Sequence, residues 1–235
     1  MHKSIDFESH LCYNYEKNQE AKVKIIDLTH EIHTGMMAYP GDPVISLEEA
    51  CTHEEDGCHV DYLMCGSHAG THIDAPYHFL AEGKSITDYP VSRFIGEGVV
   101  ADLRHKKAGE AITEEDLLPL QEAVCKGDFL LMQTGWCEKY GEEAYLNHPY
   151  VSKEAARLLV KWGVSIVAVD FLNVDPTLWE QWDTHPIFLG NEVLIVENVN
   201  NSLELDPEKR YCFCFAPMKL RGSDGAPVRA YAVER

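Results

Sequence analysis

The stretch HAGTHIDAPYH, residues 68–78, places three histidines and one aspartate within one short run. Gly70, Thr71 and Pro76 disfavour a helix here, so an extended chain is the better prediction. Side chains alternate along an extended chain, which puts His68, Gly70, His72 and Asp74 on the same side. Gly70 leaves space between the two histidines. The stretch therefore predicts a strand that presents imidazole and carboxylate groups together.

Two imidazoles and a carboxylate form a ligand set suited to zinc, manganese or ferrous iron. The set contains no thiolate, which favours a catalytic site with an open coordination position over a closed structural one. Pro76 ends the extended segment and returns His78 to a place beside the ligands, where an imidazole can carry protons near neutral pH. The alternative is a histidine-rich turn whose side chains are satisfied by backbone groups.

The chain around this stretch is acidic. It has 235 residues, with 20 basic and 39 acidic side chains, for a net charge of −19. Such a surface repels phosphate backbones and anionic lipids, so we expect a small-molecule substrate and neither nucleic acid nor membrane as a partner. Residues 1–22 are polar and are predicted to form an extension, whereas 23–235 are predicted to form one domain.

Targeting signals are not evident. The first two dozen residues contain no apolar run of the kind found in secretory signals, and no stretch is long and apolar enough to span a bilayer. The eight cysteines include no CxxC pair. We expect them to be free, mostly buried thiols, as in a reducing compartment. The predicted location is the cytoplasm.

Apolar runs typical of strands recur along the chain, and several are apolar throughout, as in strands covered on both faces. They span residues 23–29, 59–66, 98–103, 128–134, 165–170, 193–197, 211–216 and 228–233. Two helices are predicted: TEEDLLPLQEAV (113–124), with acidic residues in its first turn, and KEAARLLVKW (153–162), capped by Ser152 and ended by Gly163. Many strands and few helices predict a single mixed-sheet α/β domain with a barrel-like sheet and outer helices.

Residues 68–78 resemble the HxGTHxDxPxH signature of the cyclase-like metal-dependent hydrolases, a family that includes bacterial arylformamidases and isatin hydrolases. Each fixed position of the signature is present. Further segments resemble family motifs: YPGDP (39–43), GDFLLMQTGW (127–136), VAVDFLNVDP (167–176), HPIFLGNEVLIVEN (185–198) and GSDGAPVRAYAV (222–233). The resemblance covers about residues 23–233 and implies the family's swivelling β/β/α architecture.

The resemblance also implies a set of site residues. His68, His72 and Asp74 would hold a first metal, and His185 would hold a second one. Asp74 and Glu197 would bridge the two ions. His78 matches the residue that donates and accepts the proton in catalysis. Bacterial arylformamidases hold two zinc ions and relatives such as isatin hydrolase a single manganese ion, so the resemblance implies zinc, as one or two ions, with manganese as the alternative.

Taken alone, the late part of this set has an ordinary explanation. His185 before Pro186 is compatible with a helix start, and Glu197 with the polar end of a buried strand. The apolar run before Glu197 would carry its carboxylate to the edge of the sheet where His72 and Asp74 also lie. A charge at the end of so apolar a strand is costly to bury without a partner, and cations would offset that cost.

The implied activity is hydrolysis of an amide on an aryl or cyclic substrate by metal-activated water. The first expectation is arylformamidase activity, which converts N-formylkynurenine to kynurenine and formate. An isatin-type cyclic amide hydrolase, a lactonase or a dehydratase-cyclase on the same site is the alternative, and a non-catalytic metal-binding protein is a further one. Homodimers or homotetramers are expected from the family.

Tyr39 departs from the family pattern. Bacterial arylformamidases usually carry tryptophan directly before PGD, where it lines the aromatic substrate pocket. Tyrosine can also stack on an aryl ring, so Tyr39 is predicted to bind substrate in an altered pocket. Asp170, Asp175 and Asp224 lie near the same ends of the predicted strands. Each is expected either to orient a ligand imidazole or to cap a loop.

Overall fold

The computed structural model describes residues 23–177 and 182–234. The predicted extension 1–22 lies outside the described residues. The strands are β1 (Ile25–Asp27), β2 (Ser46–Cys51), β3 (Val60–Met64), β4 (His72–Asp74), β5 (Ile95–Asp102), β6 (Ala111–Ile112), β7 (Phe129–Gln133), β8 (Tyr150–Val151), β9 (Ile166–Val169), β10 (Leu194–Glu197), β11 (Arg210–Pro217) and β12 (Gly225–Glu234).

The helices are α1 (His53–Asp56), α2 (Glu114–Leu117), α3 (Lys153–Trp162) and α4 (Thr184–Gly190). Short 3-10 turns cover Pro76–His78, Ile86–Asp88, Val91–Phe94, Leu118–Leu120, Trp136–Lys139, Glu143–Asn147 and Ser202–Glu204. Ser152 accepts a hydrogen bond from the backbone of Ala155 and begins α3, and Gly163 ends it with a positive φ of 76°. Both ends of this helix lie where the sequence predicts them.

The main sheet closes on itself. Its strands follow the order β12, β11, β5, β7, β9, β10 and β4, and β4 pairs again with β12, while β1 extends β12 outside this ring. Strands β5, β7, β9 and β10 are parallel to one another, and β11, β12 and β4 complete the ring with antiparallel pairings. Closure leaves few unpaired strand edges. The predicted mixed α/β fold with a barrel-like sheet is confirmed.

Side chains on the two faces of this ring form two separate hydrophobic clusters. Ile73, Leu131, Ala168, Val196 and Phe213, each from a different ring strand, belong to the cluster that fills the inside of the barrel. Their neighbours in sequence point outward. The outer cluster packs Leu130, Val167 and Ile195 against α3 and α4. Burial on both faces explains why these strands are apolar at successive positions rather than alternating.

Three local expectations differ from the structure. The predicted strand 59–66 is present as β3, but it pairs only with β2 in a separate hairpin and is exposed at every position. The predicted helix 113–124 is helical only over α2 and continues as a 3-10 turn, because Pro119 lacks the N–H that an α-helix needs. Of the cysteines in the described ranges, Cys137 and Cys214 are buried, whereas the other free thiols are partly or fully exposed.

Candidate metal centre

Strand register brings the first polar side chains of the centre together. Strands β4 and β10 are antiparallel, and Glu197 is the direct partner of His72. On β4, Ile73 faces the barrel interior, so His72 and Asp74 face outward, and on β10 Glu197 shares that outer side because Val196 points inward. The three side chains are buried. Two strand ends therefore build a polar patch beneath the helical layer.

The facing atoms of these side chains have the spacing of ligands around one ion. His72 Nε2 lies 3.4 Å from Asp74 Oδ1 and 3.4 Å from Glu197 Oε2. Two donor atoms that each lie about 2.1 Å from a tetrahedral zinc ion are roughly 3.4 Å apart. Within the described residues, His72 Nε2 and Asp74 Oδ2 are buried and have no hydrogen-bond partner. Such orphaned polar atoms are costly unless a cation or donor satisfies them, so the residues present fit a metal ion.

His68 enters the centre from a turn rather than from the strand. Gly70 has a positive φ of 59°, and β4 begins only at His72, so the alternation expected over 68–74 is wrong before His72. The turn nevertheless brings His68 Nδ1 to 2.8 Å from Asp74 Oδ1. A left-handed backbone at Gly70 is readily adopted by glycine, which has no Cβ.

His185 reaches the centre from the first turn of α4. Its Nε2 lies 3.4 Å from Glu197 Oε1 and 3.8 Å from Asp74 Oδ2. Asp175 holds this end of the helix, because its carboxylate accepts hydrogen bonds from the backbone amides of Thr184 and His185 at 2.8 and 3.0 Å. The same carboxylate lies 2.6 Å from His185 Nδ1. The residue ten positions upstream thus fixes both the helix start and the ring.

In each predicted ligand histidine, the ring nitrogen that faces away from the centre makes a hydrogen bond. His72 Nδ1 donates to the carbonyl of Gly70 at 2.8 Å. His68 Nε2 donates to Asp224 at 2.9 Å, and His185 Nδ1 donates to Asp175. Outer acceptors of this kind orient the rings, and the inner nitrogen can bind a metal once the ion displaces its proton. The three rings share this arrangement although they come from a strand, a turn and a helix.

The electrostatics of the centre favour positive charge. Burial lowers the pKa of His68, but the carboxylates of Asp74 and Asp224 raise it to about 11. Burial likewise lowers the pKa of His185, but hydrogen bonds with Asp175 and Glu197 raise it to about 10. Protons on the imidazoles neutralise part of the negative charge of these carboxylates, and a divalent cation would neutralise more of it.

The predicted ligands lie in overlapping groups that share carboxylates. Donor atoms of His72, Asp74 and Glu197 lie within 4.8 Å of one another, and Asp74 is also within that distance of His68. Asp74 and Glu197 each turn one oxygen toward His72 and the other toward His185. The structure thus brings together the five side chains that the sequence predicts as metal ligands. Their roles as ligands remain predictions.

His78 lies at the rim of the centre in the 3-10 turn after β4. Its Nδ1 is 3.2 Å from Asp224 Oδ2, the oxygen that also accepts from His68. Ligand atoms of His68, Asp74 and His78 lie within 4.8 Å of one another, so His78 is also within reach of a metal. Its partly exposed ring and its place outside the buried groups are compatible with the predicted proton transfer.

A cavity of about 290 Å³ opens beside the centre. Tyr39 lies in its wall and donates a hydrogen bond to the carbonyl of Thr177 at 3.3 Å. Phe79 stacks on His185, with ring centroids 4.7 Å apart, and Trp182 lies 5.5 Å from His185 and 5.6 Å from Tyr39. The predicted pocket residue Tyr39 is therefore one of three aromatic rings around this opening.

Sequence reasoning missed several residues of this wall. Phe79 directly follows the signature, and its position beside a proton-carrying histidine was the available signal. Trp182 has no such signal, because only the folded chain brings it to the cavity.

Two of the three aspartates after the apolar runs contact imidazoles of predicted ligands, which was one of the two roles expected for them: Asp175 and Asp224. Asp170 does not: its carboxylate accepts hydrogen bonds from Thr134, Gly135 and Ser202 instead.

Sequence comparisons place these residues in a known context. The family model Cyclase, described as "Putative cyclase", matches residues 26–176. A kynurenine formamidase of Bacillus cereus is 30% identical over 210 residues, which cover 87% of this chain and 95% of the relative. A kynurenine formamidase of Bacillus cytotoxicus is 29% identical over the same share of both chains.

Solved structures agree with this assignment. A potential metal-dependent hydrolase with cyclase activity superposes with a TM-score of 0.76 at 29% identity, over 91% of this chain and 98% of the other. Isatin hydrolase A from Labrenzia aggregata, bound to benzyl benzoate, has the same fold, with a TM-score of 0.82 at 21% identity over 90% and 94% of the two chains. With a family model matched over more than half of its length, the chain belongs to the cyclase-like family of metal-dependent hydrolases.

Proposed function

We propose that the protein is a metal-dependent arylformamidase that hydrolyses N-formylkynurenine to kynurenine and formate. The observation that carries this proposal is the meeting of two features: a buried histidine–carboxylate centre and a cavity walled by Tyr39, Phe79 and Trp182. Aromatic walls suit an aryl group, because ring pairs gain energy beyond their buried area. The kynurenine formamidases among the relatives support the same substrate class.

The metal is proposed to be zinc, as one or two ions, with manganese as the alternative. His68, His72, Asp74, His185 and Glu197 would hold it. When bound, a divalent cation at such a site polarises the scissile carbonyl and activates water. The chain itself orients the ligand rings through Asp175, Asp224 and the Gly70 carbonyl.

His78 is proposed to move the proton. Its Nδ1–H donates to Asp224, which leaves Nε2 free to exchange a proton inside the cavity. As the oxygen of water bonds to the formyl carbon and the carbon–nitrogen bond breaks, this imidazole passes the proton to the leaving nitrogen. Phe79 packs edge-on against His78, with centroids 4.7 Å apart, and limits the orientations of the ring.

Metal analysis followed by a substrate panel tests the proposal. The purified protein is assayed with aryl formamides, isatin and lactones before and after chelation and metal readdition. We expect the formamides to be the best substrates and chelation to abolish turnover. Full activity after complete metal removal would sink the metal mechanism. Turnover of isatin or lactones alone would assign the ring-opening alternative, and no turnover by metal-loaded protein would assign a binding function.

A homodimer or homotetramer is proposed as the assembled state. The hairpin of β2 and β3 exposes Val60, Tyr62, Leu63 and Met64, and an isolated two-stranded ribbon is only marginally stable in water. Val60, Tyr62 and Met64 share one face of the strand, and exposed apolar groups of this kind are typical of interfaces. Light scattering should find an oligomer for the native protein and a smaller species for Tyr62→Glu. A monomeric native protein would contradict the proposal.

Partners beyond a second copy and a small-molecule substrate are not proposed. Within the described part of the chain, no helix is long and apolar enough to cross a membrane. We also propose a cytoplasmic location. The cysteines in the described ranges are free thiols, whereas cysteines in oxidising compartments usually form disulfides.

A further inference from the structure

Asn198, the residue after the predicted ligand Glu197, has an unusual backbone. Its φ is 55°, in the left-handed region that asparagine tolerates better than most residues. The residue is buried, and its backbone is paired on both sides: the amide donates to the carbonyl of Phe171 at 3.0 Å, and the carbonyl accepts from Thr71 Oγ1 at 2.6 Å. The side chain is thereby held at a fixed place next to the centre.

The amide of Asn198 lies between two buried groups. The hydroxyl of Tyr145 donates to Asn198 Oδ1 at 2.9 Å, and Asn198 Nδ2 donates to the carbonyl of Gly70 at 3.1 Å. A tyrosine hydroxyl can donate to the amide oxygen, and only the amide nitrogen can donate to a carbonyl. Tyr145 is completely buried, so its hydroxyl holds the Asn198 amide in one orientation.

The Gly70 carbonyl links the hydrogen bonds of Tyr145 and Asn198 to the metal centre. It accepts from Asn198 Nδ2 and from His72 Nδ1, at 3.1 and 2.8 Å, and so uses both of its lone pairs. Gly70 adopts a left-handed φ of 59°, and a Cβ there would lie 3.1 Å from Met36 Cε. The direction of this carbonyl thus depends on a tightly packed turn and on the amide that holds it.

We propose that Tyr145 and Asn198 position His72 for metal binding through the Gly70 carbonyl. The hydrogen-bond chain runs from the Tyr145 hydroxyl through the Asn198 amide to the carbonyl that fixes the proton on His72 Nδ1. That proton leaves the lone pair of Nε2 directed at the centre. Asn198 is a positioning residue in this scheme. The inference rests on the proposed metal-dependent function.

Two variants test this chain of hydrogen bonds at different points. Asn198→Gly keeps a residue that accepts the left-handed backbone and removes the amide. Tyr145→Phe removes one hydroxyl and keeps the ring. Tyr140→Phe is the matched control, because Tyr140 belongs to the same aromatic cluster and donates its hydroxyl to the Met37 carbonyl instead. Zinc-loaded protein is titrated with a chromophoric chelator, and the His72 ring is followed by nitrogen NMR.

We expect Asn198→Gly to lower zinc affinity by about 10–100-fold, the usual cost of losing an outer partner of a ligand. Tyr145→Phe should lower it by less, and both should alter the ring nitrogen signals of His72. Tyr140→Phe should change neither. If Asn198→Gly does not fold, Tyr145→Phe alone decides the outcome. Native zinc affinity and native His72 signals in the folded variants, with only a lower melting temperature, would overturn the inference.

These outcomes are distinct from those for the proposed function. A native protein that takes up neither zinc nor manganese would overturn the inference together with the metal mechanism. The native protein could bind zinc, with the expected loss of zinc affinity in the variants, and yet hydrolyse no aryl formamide. That result would support the inference and overturn the proposed substrate.

Discussion

Two buried carboxylate clusters lie at strand ends of the same sheet, and their hydrogen bonding differs. In the first, Asp170 follows β9, and its Oδ2 accepts from the amides of Thr134 and Gly135 and from the Ser202 hydroxyl, at 2.9, 2.7 and 2.6 Å. The hydroxyl of Thr134 donates to the other oxygen. Burial raises the pKa of Asp170 above its usual value, although these donors offset part of the increase.

In the second cluster, Asp74 and His72 lie beside other carboxylates rather than beside a full set of donors. Asp74 Oδ2 and His72 Nε2 have no hydrogen-bond partner among the residues that the structure covers. A cluster whose polar atoms are all satisfied needs nothing further to be stable, whereas one with orphaned atoms needs a ligand. The comparison indicates that Asp170 supports the loop, and it agrees with the proposal that Asp74 holds a cation.

The largest expected effect is at the centre itself. His72→Ala should weaken metal binding by more than about 100-fold, beyond the upper range for outer partners, while the fold is largely kept. Metal content per chain and circular dichroism measure the two quantities. His59→Ala removes an imidazole from the exposed hairpin and serves as the control. Full metal occupancy and activity in His72→Ala would remove the distinction between the two clusters.

A smaller effect is expected at the rim. His78→Ala should retain the metal but lower kcat by about 10²–10⁴-fold, the contribution of a positioned acid–base group. Metal analysis and steady-state kinetics are run on the same sample. Loss of the metal from this variant would show that His78 belongs with the ligands.

The opposite pattern is expected for the satisfied cluster. Asp170→Ala leaves the buried amide of Thr134 and the partly buried amide of Gly135 without an acceptor, each at a cost of about 1–3 kcal/mol. We therefore expect the free energy of unfolding in urea to fall by at least about 2 kcal/mol, with zinc affinity unchanged in the folded protein. Weaker zinc binding by the folded variant would mean that Asp170 supports the centre after all.

The smallest effect is expected outside both clusters, in the cavity wall. Tyr39→Trp should lower the KM for an aryl formamide by roughly two- to tenfold, equivalent to about 0.5–1.5 kcal/mol for a better aromatic pair. The value of kcat should change little, because Tyr39 lies in the cavity wall and is not among the proposed ligands or proton carriers. Unchanged kinetics with every substrate would place Tyr39 outside the substrate path.

Much of this arrangement could be predicted from local sequence. The periodicity of the apolar runs located the ring strands, because strands buried on both faces must be apolar throughout. Ser152 and Gly163 delimited α3 through capping chemistry that acts within a few residues. Residues 68–78 indicated a metal centre by their density of ligand types, and resemblance to a known signature added His185 and Glu197.

Local rules failed where distant contacts decide. The run 59–66 has the composition of a buried strand but lies in an exposed hairpin, since burial depends on which strand becomes its neighbour. Asp170, Asp175 and Asp224 have similar positions after apolar runs, and no local feature separates their roles. Their partners lie up to 157 residues away in sequence, as for Asp224 and Ser67.

The sequence by itself determined the chemical character of this protein: imidazoles and carboxylates in a fixed spacing, apolar strands to carry them, and caps to end α3. Only the tertiary structure decided which polar atoms are satisfied. The register of β4 against β10 sets His72 opposite Glu197, and Asp175 fixes His185 at the start of α4. Hydrogen bonds and metal coordination depend on distances of a few ångströms, which chain folding alone establishes.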